Sequence, residues 1–277
     1  MYKQEEICRM LFLDIETARS HKQYEELSEG MRKMWEYKAQ NIEPKDGSLS
    51  STQKYYEKAA IYAEFGRVIC ISCGFVFKKE KEEELFFRVK SFYGRDENKI
   101  LREFKHFLDK NSGKVDGYGN LIDKAGKRIF DNNGNIVSKK KLMHYIAAHN
   151  GKEFDIPYMC RRYLINQIEL PQMLELRGKK PWEILHIIDT MEMWKFGDNK
   201  NFTKLELLCN VFDVPTPKDD IDGSQVGSVF WEEENYERIA IYCEKDVIAT
   251  AQLMLRYNLM PLIKEENIQF AERNAFV

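Results

Sequence analysis

Residues 10–17 read Met-Leu-Phe-Leu-Asp-Ile-Glu-Thr, and this stretch restricts the chain more than any other. Leu11, Leu13 and Ile15 alternate with Met10, Phe12, Asp14 and Glu16. A period of two is that of a β-strand, and it puts both carboxylates on one face. A strand this rich in Leu and Phe is expected to be buried on both sides. Two adjacent acids in that setting lose hydration and repel each other, so they require a cation. The pattern points to a metal site for phosphoryl chemistry. A strand-end pair held by water or a salt bridge is the alternative that the segment alone leaves open.

The chain has 277 residues, enough for one large domain or two small ones. It is read as a single domain over 1–277, with a mainly helical insertion at 19–60 and a β-hairpin insertion at 112–141. Its hydrophobic fraction of 43%, with 17 Phe and 14 Tyr, supplies a sizeable core. The net charge of -2 argues against a histone-like binder. It is compatible with a nuclease, in which acids hold metal and local Lys and Arg hold phosphate. The first ten residues lack the apolar run of a signal peptide, and no 18-residue apolar stretch exists, so no membrane association is expected. Six cysteines are scattered, and only Cys70 and Cys73 are close. On a strand, positions three apart face opposite ways and are poorly placed to share a zinc ion. All six are read as free thiols of a reducing, cytoplasmic protein.

Further along, Val68–Phe77 and residues 84–94 read as two strands joined by a charged turn. Ile100, Leu101, Phe104, Phe107 and Leu108 mark one face of an amphipathic helix. Residues 19–60 are polar and partly helical, and are expected to cover one side of the opening strand. Residues 112–141 carry a turn signal about every eight residues and read as one or two hairpins, closed by Lys139, Lys140 and Lys141. Leu142–Ala148 is a further strand, followed by His149-Asn150-Gly151-Lys152-Glu153-Phe154-Asp155 and a helix carrying Tyr158, Met159 and Tyr163. By itself Asp155, two residues before Pro157, reads as a helix N-cap. Ile184–Ile188 is a strand ending at the capping residue Asp189, Asn201–Phe212 is a helix, and Val214–Gly227 is a loop.

A long helix is expected from about Glu232 to Tyr257. On a helical wheel its solvent face holds Glu237, Glu244, Lys245, Gln252 and Arg256. Asp246 falls on the inward face among Ile239, Cys243, Thr250 and Leu253, with Tyr242 one turn before it. A core-facing Asp needs a partner. An Arg or a backbone amide would serve, and a metal shared with Asp14 and Glu16 would serve better. The order of strands and helices suits an α/β or α+β layer built on one central sheet.

Together these residues resemble the DEDD 3′–5′ exonucleases of the RNase H-like superfamily. The first motif is Asp14-Ile15-Glu16-Thr17, the second runs from His149 to Pro157, and the third is Tyr242-Cys243-Glu244-Lys245-Asp246. The Tyr-x-x-x-Asp spacing resembles the tyrosine branch; a histidine branch would need His at position 241, which is Ile. The likeness is nearest to stand-alone exonucleases related to the proofreading domain of family-B DNA polymerases. Residues 63–72 and the Pro217–Val226 loop are also similar to that group.

The resemblance implies an RNase H-like mixed central sheet flanked by helices. It implies two divalent ions, Mg²⁺ or Mn²⁺, held about 4 Å apart by Asp14, Glu16, Asp155 and Asp246. Tyr242 would orient a water or help take its proton. The substrate would be the 3′ end of a single-stranded nucleic acid, with DNA favoured over RNA, and the product a nucleoside 5′-monophosphate. Asn150, Phe154, Phe65, Lys204 and Lys218 are candidates for stacking on bases or meeting phosphates, each with a packing or solubility reading beside it. His149 reads as a structural hydrogen-bonding residue rather than a catalytic one. An exoribonuclease on the same site, a non-catalytic nucleic-acid-binding subunit and a hydrolase of small nucleotides are the competing readings.

Overall fold

The computed structural model describes residues 1–80, 82–112, 114–115, 121–122, 127–128, 130, 134, 136, 143–198, 202–215 and 221–276. The opening strand, β1, runs Met10–Arg19, and Met10, Leu11, Phe12 and Leu13 are all fully buried. Each such side chain contributes about 1.5–3 kcal/mol on leaving water. A one-residue slip would exchange the two faces of the strand, so its apolar half also fixes which way the acids point.

β1 lies inside a six-stranded sheet of order β7-β6-β1-β2-β3-β8. Strands β2 (Gly66–Lys78) and β3 (Leu85–Tyr93) form a hairpin antiparallel to β1. Strands β6 (Tyr145–Ala148) and β7 (Ile187–Asp189) run parallel to β1, and β8 (Ile268–Phe270) runs parallel to β3. The sheet is therefore mixed and flanked by helices, as the sequence led us to expect. β4 (Lys114–Val115) and β5 (Leu121–Ile122) form a separate antiparallel pair, and Phe130 bridges Ile136. Lys139, Lys140 and Lys141 lie outside the described residues.

Short helices α1 (Gln4–Ile7), α2 (Glu29–Ala39) and α3 (Ser51–Lys58) precede β2. Between β1 and β2, Trp35, Tyr55 and Phe65 build a small core of their own beside the end of β1. On one face of the sheet Leu11, Leu13 and Ile15 pack against α4 (Glu97–Asn111) and α5 (Asp155–Ile165). On the other, Met10 and Phe12 pack against α9 (Tyr236–Tyr257) through Val247, Ala251, Met254 and Leu255. Helices α6 (Thr190–Lys195), α7 (Leu205–Val211) and the single turn α8 (Val226–Ser228) connect β7 to α9.

Several elements are shorter than the sequence suggested. The strand expected at 142–148 begins at Tyr145, that at 184–188 is Ile187–Asp189, and the helix at 201–212 is Leu205–Val211. The long helix begins at Tyr236 rather than 232, because Glu234 turns into the left-handed region (φ 51°) and Asn235 then caps a new helix through Arg238 N. Glu244 and Gln252, expected on its solvent face, are only 1% and 4% exposed. The chain after α9 folds back along that side. Gln252 exchanges two hydrogen bonds with the backbone of Ile263, and Arg273 reaches the Glu244 carboxylate.

A buried ion pair ties the layers that carry α5. Arg162 grips Glu97 with Nε at 2.8 Å and Nη2 at 2.6 Å, and also donates to Ala63 O. Glu97 accepts from Val68 N on β2 as well. Removing one partner leaves the other charge buried without compensation. Arg162→Met is expected to lose about 3–5 kcal/mol in urea denaturation, and Glu97→Gln combined with it to recover part of that loss.

Candidate active site

The first strand sets the site. Asp14 and Glu16 continue the face on which Met10 and Phe12 meet α9, so two acids stand where the next two apolar side chains would be. Both are half-buried. β1 is irregular against β2 between Glu16 and Thr17: Glu16 opposes Cys70, but Thr17 opposes Val68. Bulges of this kind re-aim side chains and are common beside active sites.

The second group arrives from the parallel side. β6 is paired with β1 only as far as Phe12↔Ala147, and the chain then turns through residues 149–154 into α5. Beyond the end of β6, the Ile15 amide donates its hydrogen to Asp155 Oδ1 at 3.1 Å. Asp155 is therefore not the helix N-cap that its position beside Pro157 suggested. It is the first helical residue, preceded by Phe154, and its carboxylate is spent on β1 because the strand there has an unpaired donor. Gly151 makes the turn possible: a Cβ on it would lie 2.4 Å from Ala148 Cβ.

Asp189 does more than cap. Its Oδ1 accepts from Met191 N and Glu192 N, which starts α6, and also from Asn150 N at 2.9 Å; its Oδ2 accepts from Lys152 N at 3.0 Å. The turn before Asp155 thus hangs on one carboxylate at the end of β7. His149 is held at both ring nitrogens, with Nε2 2.8 Å from Thr203 O and Nδ1 2.9 Å from Thr190 Oγ1. The carbonyl can only accept, so Nε2 carries the proton. Burial lowers the ring's pKa, which favours the neutral form.

The third group comes from α9. Tyr242 and Asp246 are both half-buried, one turn apart, and the Tyr242 hydroxyl faces Gly223, where a Cβ would lie 3.9 Å away. Cys243, fully buried, donates its thiol hydrogen to Asp14 Oδ2 at 3.3 Å. Its sulfur and one carboxylate oxygen each from Asp14 and Glu16 lie within 4.8 Å of one another. Its inward position on the helical wheel was the only sequence signal for this contact.

Burial is the main reason that the acids resist ionisation. It raises Asp14, with repulsion from Asp155, Asp246 and Glu16 added, while the Cys243 thiol opposes the shift. Glu16 is raised by burial and by Asp246, Cys70 and Asp155. Asp155 is pushed up to about 7 by burial, against the lowering effect of its own amide and that of Ile15. Asp14, Glu16, Asp155 and Asp246 are thus within electrostatic reach of one another.

The other candidates separate. Asn150 adopts φ 61°, and its side-chain Oδ1 is buried without a hydrogen-bond partner among the described residues. Phe154 lies next to Asp155, half-buried against Tyr158 with ring centres 5.4 Å apart. Phe65 is 5% exposed and packs edge-on against Trp35, so its ring serves the small helical core and is not open to a base. Lys204 is exposed at the start of α7, and Lys218 lies outside the described residues.

Without a cation, the folded protein holds protons on Asp14, Glu16 and Asp155 at pH values where the unfolded chain, with carboxyl pKa values of about 4, has released them. Stability therefore falls as pH rises from about 4 through the Asp155 value of about 7. Calorimetry in EDTA should show the melting temperature dropping between pH 5 and pH 8. Added Mn²⁺ should raise it by several degrees at pH 8 and by less at pH 5, where protons compete.

The family described as predicted 3′–5′ exonucleases related to the exonuclease domain of PolB matches residues 123–272, which include the second and third motifs and exclude Asp14 and Glu16. Among solved structures, the chain is similar to the family B DNA polymerase from the hyperthermophilic archaeon Pyrobaculum calidifontis. That likeness has 12% identity and a TM-score of 0.48, over 90% of this chain and 24% of the polymerase, so the chain spans just under a quarter of it. The comparison with curated proteins gives no match. No helix among the described residues is long and apolar enough to cross a membrane. With more than half of its length matched, the chain belongs to the family of predicted 3′–5′ exonucleases related to the exonuclease domain of PolB, and is a hydrolytic enzyme of that class.

Proposed function

We propose that the protein removes nucleotides from the 3′ ends of single-stranded DNA, using two divalent cations held by Asp14, Glu16, Asp155 and Asp246. One observation carries this reading: acids from three separate segments meet at one place, and the pKa values of Asp14, Glu16 and Asp155 are raised by burial and by one another. The donor set fits the cations. Four carboxylates are hard oxygen ligands of the kind that Mg²⁺ and Mn²⁺ take, and their accumulated charge matches two dications. Cys243 is a neutral thiol at ordinary pH, since burial raises its pKa well above the usual range, so it serves as a hydrogen-bond donor to Asp14.

When bound, such ions supply Lewis-acid polarisation of the scissile phosphate and neutralise charge at the leaving 3′ oxygen. The chain's own residues do the rest. Asp155, fixed by the Ile15 amide, and Asp246, fixed by α9, present acids toward Asp14 and Glu16 from opposite faces of the sheet. Tyr242 orients the attacking water through its hydroxyl. Asn150 and Phe154, beside Asp155, meet the terminal nucleotide, Phe154 by stacking. Lys204 and Lys218 contribute positive charge for the backbone of the strand.

The test uses a 5′-labelled single-stranded DNA oligomer and its RNA counterpart with Mg²⁺ or Mn²⁺. A DNA ladder shortening from the 3′ end, abolished by EDTA and by Asp14→Ala, is expected. Tyr242→Phe should lower kcat by on the order of a hundredfold with KM for the oligomer unchanged. Faster loss of RNA would replace DNA by RNA as the substrate. Binding without cleavage of either oligomer would overturn the catalytic reading.

A further inference from the structure

Glu244 is fully buried two residues before Asp246, and the exonuclease chemistry does not use it. It faces a row of small polar side chains that crosses the sheet beneath α9. Asp14 on β1 is paired with Ser72 on β2, and Ser72 with Ser91 on β3. Ser72 and Ser91 are 0% and 7% exposed. Buried hydroxyls are costly unless each finds a partner, and here they find one another. Ser91 Oγ lies 2.7 Å from Glu244 Oε1, Ser72 Oγ lies 2.8 Å from Ser91 Oγ, and Cys70 Sγ lies 3.5 Å from Ser72 Oγ. Separately, Cys243 on α9 donates to Asp14 Oδ2 at 3.3 Å.

The proton directions follow from the two ends. The Glu244 carboxylate accepts, so Ser91 donates to it. Ser91 must then accept from Ser72, and Ser72 from the Cys70 thiol. At the other end Asp14 accepts from Cys243. The Glu244 end is anchored by Arg273, in the segment after β8, whose Nη2 and Nε lie 2.6 and 3.0 Å from Glu244 Oε2. Arg273 is more than 25 residues from every acid of the site in sequence, yet it and Asp14 hold consecutive residues of α9, Glu244 and Cys243.

Glu244 and Cys243 are consecutive on α9. The first binds the helix to β3 through Ser91, and the second binds it to β1 through Asp14. The two attachments straddle the sheet and fix the height and rotation of the turn that carries Asp246. We propose that Arg273, by holding Glu244 against Ser91 and so fixing α9 where Cys243 meets Asp14, is a positioning residue that holds Asp14 and Asp246 at the separation needed to bind cations. This rests on the reading of those two acids as cation ligands. Groups that orient ligands from behind commonly control metal affinity by tenfold or more.

Mn²⁺ binding, followed by electron paramagnetic resonance without nucleic acid, tests it, with melting temperatures taken on the same samples. Arg273→Met, Ser91→Ala and Cys243→Ala should each weaken Mn²⁺ binding by about tenfold or more. They should raise the Mn²⁺ concentration for half-maximal cleavage equally, and leave KM for the oligomer unchanged at saturating Mn²⁺. Cys243→Ser keeps a donor to Asp14 and should bind nearly as the wild type does. Ser91→Ala removes one oxygen and guards against a fold lost in Arg273→Met. Wild-type Mn²⁺ affinity in both Ser91→Ala and Cys243→Ala, whatever their melting temperatures, overturns the positioning role alone. A wild-type protein that binds no Mn²⁺ overturns the cation site and the positioning role with it.

Discussion

Carboxylates gathered away from bulk water push one another apart, and every element around Asp14, Glu16, Asp155 and Asp246 works against that repulsion. Each unit of raised pKa measures about 1.4 kcal/mol by which the protein disfavours the charged form. A fold can sustain such a cluster only if the backbone beneath it cannot relax. β1 meets this requirement by burying four consecutive apolar residues just before the acids begin.

The restraint is distributed over three attachments of different chemistry. Asp155 is tied by a backbone amide that lost its strand partner where β6 ends. The turn before it hangs from Asp189, and α5 itself is clamped by the buried Glu97–Arg162 pair. On the opposite face α9 is pinned by a charged anchor, a buried hydroxyl and the Cys243 thiol. None of these is interchangeable, because each answers a donor or acceptor that the local backbone leaves over.

Much of this was legible in the residues. The alternation at 10–17 gave the strand, its burial and the shared face of its acids, and the inward place of Asp246 followed from helical periodicity alone. The order of the three motifs then narrowed the fold. What escaped reading depends on segments far away in sequence. A helical wheel put Glu244 and Gln252 in water because it carries no information about the chain from 262 to 276, which covers that side. Asp155 resembled a cap because its donor, the Ile15 amide, is 140 residues earlier. Phe65 and Phe154 look alike as exposed-loop aromatics; only packing shows that one is spent on Trp35 and the other lies beside an acid.

The irregularity opposite Glu16 has a consequence for parity. Val68 and Ile71 pack on the α5 side of the sheet, whereas Ile69 and Cys70, consecutive in the chain, both pack on the α9 side. The odd–even clock of β2 therefore slips by one tick at the level of the acids. On either side of that point the strand keeps its own phase, and the two phases agree only because one extra residue is spent between them. The end of the sheet that bears the acids and the end that bears the apolar core are in this sense separately framed, as two reading frames joined at Ile69.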